Sequence, residues 1–454
     1  MRVLGLKSAR TNFPWVIFLF LFAVFALSSW KFYKPTEGYY AEDAYQISET
    51  ARTGSLQRQI GLTSLGVFAA LSLLRKTRSR VRINGCMGVL FLLYIGWTVM
   101  SIIWTVDMWL TVKGTLRFVL MCLGALAIAK TLSMRETVLL TFYTCILTLL
   151  ISVVIELSLG TFNPFDASWR LSGVMHPVSQ GWNCSLLGLS ALLLSRNEQK
   201  SRSFYFGVFV IGLFFLLLSK SRMAVSATIL SIIVYCFLTF TRSRKVALLI
   251  LSTIFICLTY FILGDEIATY SAKIASFGRG SAGQESINTL TGRIPLWEEC
   301  LRYASRSPIW GYGYNAFLTP RYLLNISESA GWMSSPHSGY IGTLLELGII
   351  GVIFLVLTLG TALKLSIDML KRNPDYVFSV CILVWLIMNL LLESFLLSSP
   401  FFPTFLALIL LAKLSFINEP LTNIGSASIE IDTLIEGKII CLTTKSSRPP
   451  KLGG

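Results

Sequence analysis

Thr291-Gly-Arg-Ile-Pro-Leu-Trp297, Pro308-Ile-Trp-Gly-Tyr-Gly-Tyr-Asn315 and Ser335-Pro-His337 fall in one long, mostly polar segment, residues 264–337. On either side the chain is one hydrophobic run after another. A protein built of such runs keeps a single large loop where that loop handles a substrate. This stretch therefore governs the reading of what surrounds it.

Runs of membrane-spanning length are about 17–25 residues, shorter ones borrowing flanking residues. They lie near 13–30, 60–74, 85–104, 111–129, 137–159, 177–194, 204–219, 223–240, 246–263, 338–360, 376–397 and 401–416. Twelve runs put both ends of the chain on one side. The run at 60–74 is short, and the mixed-charge connection before it, Lys31 to Gln59, is read as partly ordered. With 54% hydrophobic and 14% charged residues, the composition is too apolar for an ordinary soluble domain. A net charge of +16 in a soluble chain would point to nucleic acid. Here it is better explained by basic loops facing anionic lipid.

Charge fixes the orientation. Alternate connections carry Arg75, Lys76, Arg78, Arg80 and Arg82; Lys130 and Arg135; Arg196, Lys200 and Arg202; Arg242, Arg244 and Lys245; and Lys364, Lys371 and Arg372. The four short connections on the other side hold only Arg170, Lys220 and Arg222. The positive-inside rule places the first set, both termini included, in the cytoplasm and the 264–337 loop outside. The first run, starting at Phe13, has no small-residue cleavage site and is read as a retained span. The polar tail after Ile417 is read as disordered. Of nine cysteines only Cys300 sits in the long loop, so neither a disulfide framework nor a metal site is read from spacing.

Four features converge on the external face. Arg170, in Ser168-Trp-Arg-Leu-Ser-Gly173, is followed by His176-Pro177. Ser219-Lys-Ser-Arg222 joins two runs in a tight turn. Arg293 opens a helical segment with Leu296, Cys300, Leu301 and Ala304 as its apolar stripe, and Trp297, one turn on, shares its face. His337 stands where the tenth run begins, with Ser335 as N-cap and Pro336 in the first helical position. That reading puts the imidazole in a first turn, a place that attracts phosphate and suits a general base. The plainer readings are arginines reaching to lipid headgroups, a helix-start histidine satisfied by backbone, and His176 as a cap. Arg222 is sharper, because a charge held at the membrane by a short turn needs a partner. Lys113, Arg117, Glu156, Glu346 and Glu393 fall inside runs and are read first as structural pairs. Trp297, Trp310, Tyr312 and Tyr314 read by default as an interfacial aromatic belt. Gly311-Tyr-Gly313 lacks the strand–helix setting of a dinucleotide site and is read as a turn, and no phosphate-binding G-x-x-x-x-G-K-[ST] loop occurs.

At these residues the chain resembles the bacterial O-antigen ligase and polymerase superfamily, polytopic transferases acting on polyprenyl-diphosphate-linked glycans. The resemblance is carried by Gly292-Arg293-x-x-x-Trp297, Pro308-x-x-Gly311-x-Gly313-x-Asn315, and His337 with Glu346-x-Gly348-x-x-Gly351. Ser219-Lys-Ser-Arg222 and Arg170-x-x-Gly173 add to it. It covers about residues 85–400, with its centre in 290–351. One departure is Ser338, where the family commonly has Asn. The segment Glu42 to Leu74 and Trp104-Thr-Val-Asp107 look closer to exopolysaccharide polymerases than to ligases proper.

The resemblance implies an all-α integral membrane protein of about twelve transmembrane helices in the bacterial inner membrane, both termini cytoplasmic. A large periplasmic loop, partly helical, would lie between spans nine and ten. The implied units are a nine-span region 1–263, the loop 264–337, a three-span region 338–416 and the tail 417–454. The implied reaction moves glycan from an undecaprenyl-diphosphate-linked oligosaccharide to a glycan or lipid A core acceptor. Arg170, Arg222 and Arg293 would grip the diphosphate, His337 and Arg293 would be catalytic, and Trp297 would contact sugar. Neither metal nor cofactor is implied, and nucleic acid is not a partner; membrane lipids and envelope polysaccharide assembly proteins are. A polymerase is favoured over a ligase, with the shape-and-division type of peptidoglycan polymerase ranked lower. The rivals are a transporter or flippase and a non-catalytic assembly partner. Transporters place their sites near the midplane, whereas these residues gather at one face.

Overall fold

A computed structural model describes residues 13–30, 55–75, 79–166, 169–241, 243–244, 293–317, 319, 322, 325–326, 335–394 and 400–420. In chain order the elements are α1 (Trp15–Ser29), α2 (Leu56–Leu74), β1 (Ser79–Ile83), α3 (Gly85–Met100), α4 (Met108–Thr131), α5 (Met134–Ser158), α6 (Pro177–Asn197), α7 (Arg202–Leu218), α8 (Arg222–Thr239), α9 (Arg293–Ala304), α10 (Gly339–Met369), α11 (Tyr376–Leu392), α12 (Phe402–Ser415) and β2 (Phe416–Pro420). Among the described residues, six stretches are long and apolar enough to cross a membrane: Gly85–Ile103, Met108–Thr131, Met134–Ser158, Gln199–Leu218, Arg222–Thr239 and Gly339–Met369. Helices α1, α11 and α12 are apolar but shorter. The chain is a multi-pass, mostly helical membrane protein. The predicted run 246–263, the whole of the loop before Arg293 (264–292), the connection 31–54 and the tail from residue 421 lie outside the described residues.

Local signals set several helix starts. Ser133 and Glu136 form a reciprocal capping box on α5, and Asp107 accepts from Leu110 N to cap α4. Helix α6 is largely enclosed; Ser179, Gln180, Asn183, Ser185 and Ser190 on it are all buried. Its polar side chains tie it to its neighbours: Asn183 Nδ2 donates to Cys145 O at 3.0 Å, and Trp182 Nε1 donates to Asn389 Oδ1 at 3.1 Å. A helix enclosed by other helices can carry such groups, because protein rather than lipid satisfies them.

One expectation is corrected at the other end of the bundle. Strand β1 pairs antiparallel with β2, Ser79 opposite Pro420 and Ile83 opposite Phe416. Apart from this one short ladder the described elements are helical, consistent with the expected all-α membrane class, and the chain end that was expected to be disordered after Ile417 is a strand through Pro420.

The feature that most shapes the site is a break in α10. Gly348 has φ 66° and ψ −170°, which no helix contains. The segment 308–313 enters that break. Tyr312 N donates to Leu345 O at 2.8 Å, Gly313 N to Glu346 O at 2.9 Å, and Ile349 N to Pro308 O at 2.8 Å. Trp97 Nε1 takes the Leu347 carbonyl at 2.9 Å. Main-chain groups released by the break are thus satisfied within the protein, as a low-dielectric setting demands. The approach is so close that only glycine fits. A Cβ on Gly311 would stand 2.5 Å from the Glu346 carbonyl carbon, and one on Gly348 would stand 2.0 Å from Ile309 O. Gly311-Tyr-Gly313, expected as a turn, is thus the plug that completes a membrane helix. Trp310 beside it stacks on Trp97 at 5.4 Å and meets Trp104 at 5.0 Å, an aromatic group of the interfacial kind. Tyr312 and Tyr314, expected in the same belt, are instead buried.

Helix α9 lies against the first turns of α10. Its buried face is Leu296, Cys300, Tyr303 and Ala304, packed with Tyr312, Phe317 and Leu345. Tyr303 takes the place expected for Leu301, which is exposed.

Candidate functional site

Arg293 and Trp297 share one face of α9, and that face meets the turn before α10. Arg293 Nη2 pairs with Glu393 Oε1 at 3.0 Å, and its Nη1 donates to Leu392 O. Trp297 Nε1 donates to Pro336 O at 3.0 Å. His337 Nδ1 stands 3.9 Å from Glu393 Oε2 and is buried without a hydrogen bond. One carboxylate at the end of α11 thus faces a guanidinium from the loop helix and an imidazole from the turn before α10. The sequence placed Glu393 inside a run extending to 397. Helix α11 ends at Leu392, and Glu393 has extended backbone, which aims its side chain across the bundle end rather than along the helix.

The expected N-cap is corrected. Helix α10 begins at Gly339, and its cap is Ser338, whose hydroxyl accepts from Ile341 N at 3.4 Å. Ser335 instead accepts from His337 N at 3.4 Å, and His337 has φ 48°. The histidine lies in the turn that precedes the helix, not in its first turn. Ser338, the departure from the commonly found Asn, therefore fills a capping role that Asn fills equally well.

Arg170 and Arg222 meet at a second turn. Arg170 Nε donates to Ser219 O at 3.1 Å, and Leu171 N pairs with Leu218 O at 3.0 Å. These bonds fasten the 169–173 segment along the Ser219-Lys-Ser-Arg222 turn. Arg222 is the first residue of α8, and Lys220 has φ 49°. Glu156 holds the segment from the other side. Its Oε1 accepts from Ser172 N at 2.7 Å, Ser172 Oγ at 2.9 Å and Gly173 N at 2.8 Å. Glu156 was expected to pair with another charge; its partners are main-chain amides and a hydroxyl. Gly173, with φ 62°, is required here because a Cβ would stand 2.3 Å from Ser152 Cβ.

His176 joins the two halves. It is the N-cap of α6, its Nδ1 accepting from Val178 N at 3.3 Å. Its ring edge reaches solvent, yet surrounding protein displaces enough water to push its pKa down to about 4. The Arg170 guanidinium and His337 push the same way, while the Glu393 carboxylate opposes them. Arg170, His337 and Glu393 are therefore all electrostatic neighbours of one ring. The folded-state value lies below the ordinary one, so the neutral cap stabilises the fold above about pH 6.5, and that contribution fades as pH falls towards 4. With two histidines in the chain, NMR of labelled imidazoles resolves this: one ring should stay neutral down to about pH 5. A His176 resonance titrating near 6.5 would contradict the cap.

Among the sequence-selected residues, Arg293, Trp297 and His337 converge on the turn before α10, and Arg170 with Arg222 converge on the turn before α8. Residues 207–356 match the O-antigen ligase family, Wzy_C. The match bears out the resemblance to the O-antigen ligase and polymerase superfamily. The O-antigen ligase match takes in Arg222, Arg293, Trp297, the α10 break and His337, while Arg170, His176 and Glu393 lie outside it. No curated protein matches the chain. Glu393 is the residue that sequence reasoning underrated. Its signal was an acidic residue closing an apolar run on the same face as His337.

Proposed function

We propose that the chain transfers an oligosaccharide from a polyprenyl-diphosphate donor to a sugar hydroxyl at the end of the bundle that carries His337, the periplasmic end. O-antigen ligase-type glycosyl transfer is the general activity the family match supports. The observation that carries the finer reading is the Arg293–Glu393–His337 arrangement, with Arg293 at 3.0 Å and His337 Nδ1 at 3.9 Å from the two carboxylate oxygens.

Glu393 fixes the imidazole by attracting its Nδ1 edge, which leaves Nε2 to accept the proton of the acceptor hydroxyl. The hydroxyl oxygen forms a bond to the anomeric carbon while the bond from that carbon to the diphosphate oxygen breaks. The polyprenyl diphosphate leaves with the electron pair, and the proton resides on His337. Guanidiniums of Arg170 and Arg222, with Arg293, meet the charge growing on the leaving diphosphate. Trp297, half-buried beside Pro336, offers a ring edge to a sugar. The donor brings its own activation, so the scheme calls for no nucleotide. A polymerase or a ligase would use the same groups and differ in the acceptor.

Arg222→Lys tests the clamp. It keeps the charge but loses the planar fork, so transfer should fall at least about tenfold, as for loss of one charge-assisted bond, with membrane expression unchanged. Turnover of lipid-linked oligosaccharide by the purified variant at the wild-type rate would remove Arg222 from the clamp. Substrate binding with vesicle translocation and no transferred glycan would favour the transporter.

A further inference from the structure

Arg170 stands on a segment that is fastened at each of the next four main-chain amides. Leu171 N donates to Leu218 O at 3.0 Å, at the end of α7. Ser172 N and Gly173 N donate to Glu156 Oε1 at 2.7 and 2.8 Å, and Val174 N donates to Ser152 Oγ at 3.5 Å. Ser152 and Glu156 lie one turn apart on α5, so a single helix face takes three amides in a row. Leu171, Ser172, Gly173 and Val174 are all buried, whereas Arg170 is only partly so. Its Nε rests on Ser219 O at 3.1 Å, on the side of the segment away from α5.

Glu156 carries most of the hold from α5. Its Oε1 takes three donors, the two amides and Ser172 Oγ at 2.9 Å, while Oε2 is buried with no hydrogen bond among the described residues. One oxygen therefore exerts the whole grip. Successive amides that converge on a point form a concave main-chain site favouring an anion, and the anion here belongs to the same chain. Glu156 is 2% exposed. A carboxylate is costly to bury to that degree, and charge-assisted bonds are what offset the cost. Fastening alone could be done by a neutral acceptor, as Ser152 does for Val174. The difference is in tightness: the carboxylate bonds measure 2.7 and 2.8 Å, the hydroxyl bond 3.5 Å. Shorter, stronger bonds confine the segment more closely.

We infer that Glu156 is the positioning residue of the diphosphate clamp. Through the Ser172 and Gly173 amides it sets where Arg170 stands against the Ser219-Lys-Ser-Arg222 turn, without itself touching substrate. The inference rests on the reading above that Arg170 and Arg222 grip the diphosphate, and it adds the group that fixes their relative placement. Two guanidiniums act together on one diphosphate only at the right separation. A shift of about 1 Å in such a group costs about 10²-fold in rate.

The test is a double-variant cycle on the full-length protein in detergent, read by binding of undecaprenyl diphosphate, with transfer from lipid-linked oligosaccharide measured alongside. Glu156→Gln keeps the shape and an acceptor oxygen but loses the charge. At a melting temperature matched to wild type, it should weaken undecaprenyl diphosphate about tenfold, as for one charge-assisted contact. It should lower kcat by up to about 10²-fold and leave the acceptor KM unchanged. In an Arg170→Gln background the same substitution should alter neither affinity nor kcat, because the guanidinium it positions is gone. If Glu156→Gln fails to fold, Ser172→Ala removes one of the three donors and should show a smaller loss with the same dependence on Arg170. Equal losses with and without Arg170, or no loss in either background, would overturn the inference while leaving Arg170 in the clamp. Wild-type affinity in Arg170→Gln alone would instead remove Arg170 from the clamp, and this inference with it. A chain that transfers no glycan, yet binds the diphosphate with Glu156 and Arg170 coupled in this way, would sink the transferase reading and keep this one.

Discussion

Replacing His337 with alanine is expected to lower glycan transfer by about 10²–10⁴-fold, the usual contribution of a positioned general base, without loss of folded protein. The expectation rests on placement. The imidazole stands in a turn of φ 48°, its Nδ1 buried beside the Glu393 carboxylate at 3.9 Å. Few non-glycine residues adopt that backbone, but Asn does so readily. His337→Asn is therefore the informative partner variant, since it preserves the turn and a polar side chain while removing the base. Both variants should fail in an assay of purified protein with lipid-linked oligosaccharide. Glu393→Gln should fall between them and wild type, because it keeps the shape of the carboxylate but not its pull on Nδ1. It also weakens the hold on Arg293, whose side chain otherwise bonds Leu392 O. If His337→Ala turns over at the wild-type rate, the imidazole has no part in the chemistry.

The second large effect is on folding. Gly348→Ala should lose at least about 3 kcal/mol, the sum of a strained backbone and a buried clash, and most of the folded protein with it. At φ 66° and ψ −170° the position is open to glycine almost alone, and the added Cβ would meet Ile309 O at 2.0 Å and Trp310 N at 2.7 Å. Relief would require withdrawing the 308–313 segment, which would orphan the carbonyls of Leu345 and Glu346 and the amide of Ile349. Gly360→Ala, in the same helix, is the control: nothing lies within 4 Å of its added Cβ. It should be neutral or slightly stabilising, by up to about 1 kcal/mol. Thermal melts of the two variants in detergent decide the matter. Equal melting temperatures would mean that the break is not required.

The His337 turn shows how a sequence can signal the right place and the wrong geometry. Ser335-Pro336 reads as a cap followed by a first-turn proline, but the structure caps α10 with Ser338, a residue of equal capping preference. Local preference does not choose between them. Ser338 wins because its hydroxyl sits over the Ile341 amide while α11 packs against Gly339, where a Cβ would stand 2.4 Å from Leu390 Cδ2. The pairing of Arg293 with Trp297 was legible for the opposite reason. A four-residue spacing fixes a shared helix face whatever lies across from it.

Hydropathy alone determined that this is a helical membrane protein, because the cost of leaving backbone or charge in lipid is local to each run. Charge asymmetry and motif order pointed to one loop and one face. Only the tertiary structure decided that Gly311 and Gly313 plug a break at Gly348, that Glu393 serves Arg293 and His337 together, and that Glu156 holds the Arg170 segment through its amides. Each is a contact between residues far apart in the chain. Its free energy comes from atoms the local sequence does not contain, so no spacing rule could have supplied it.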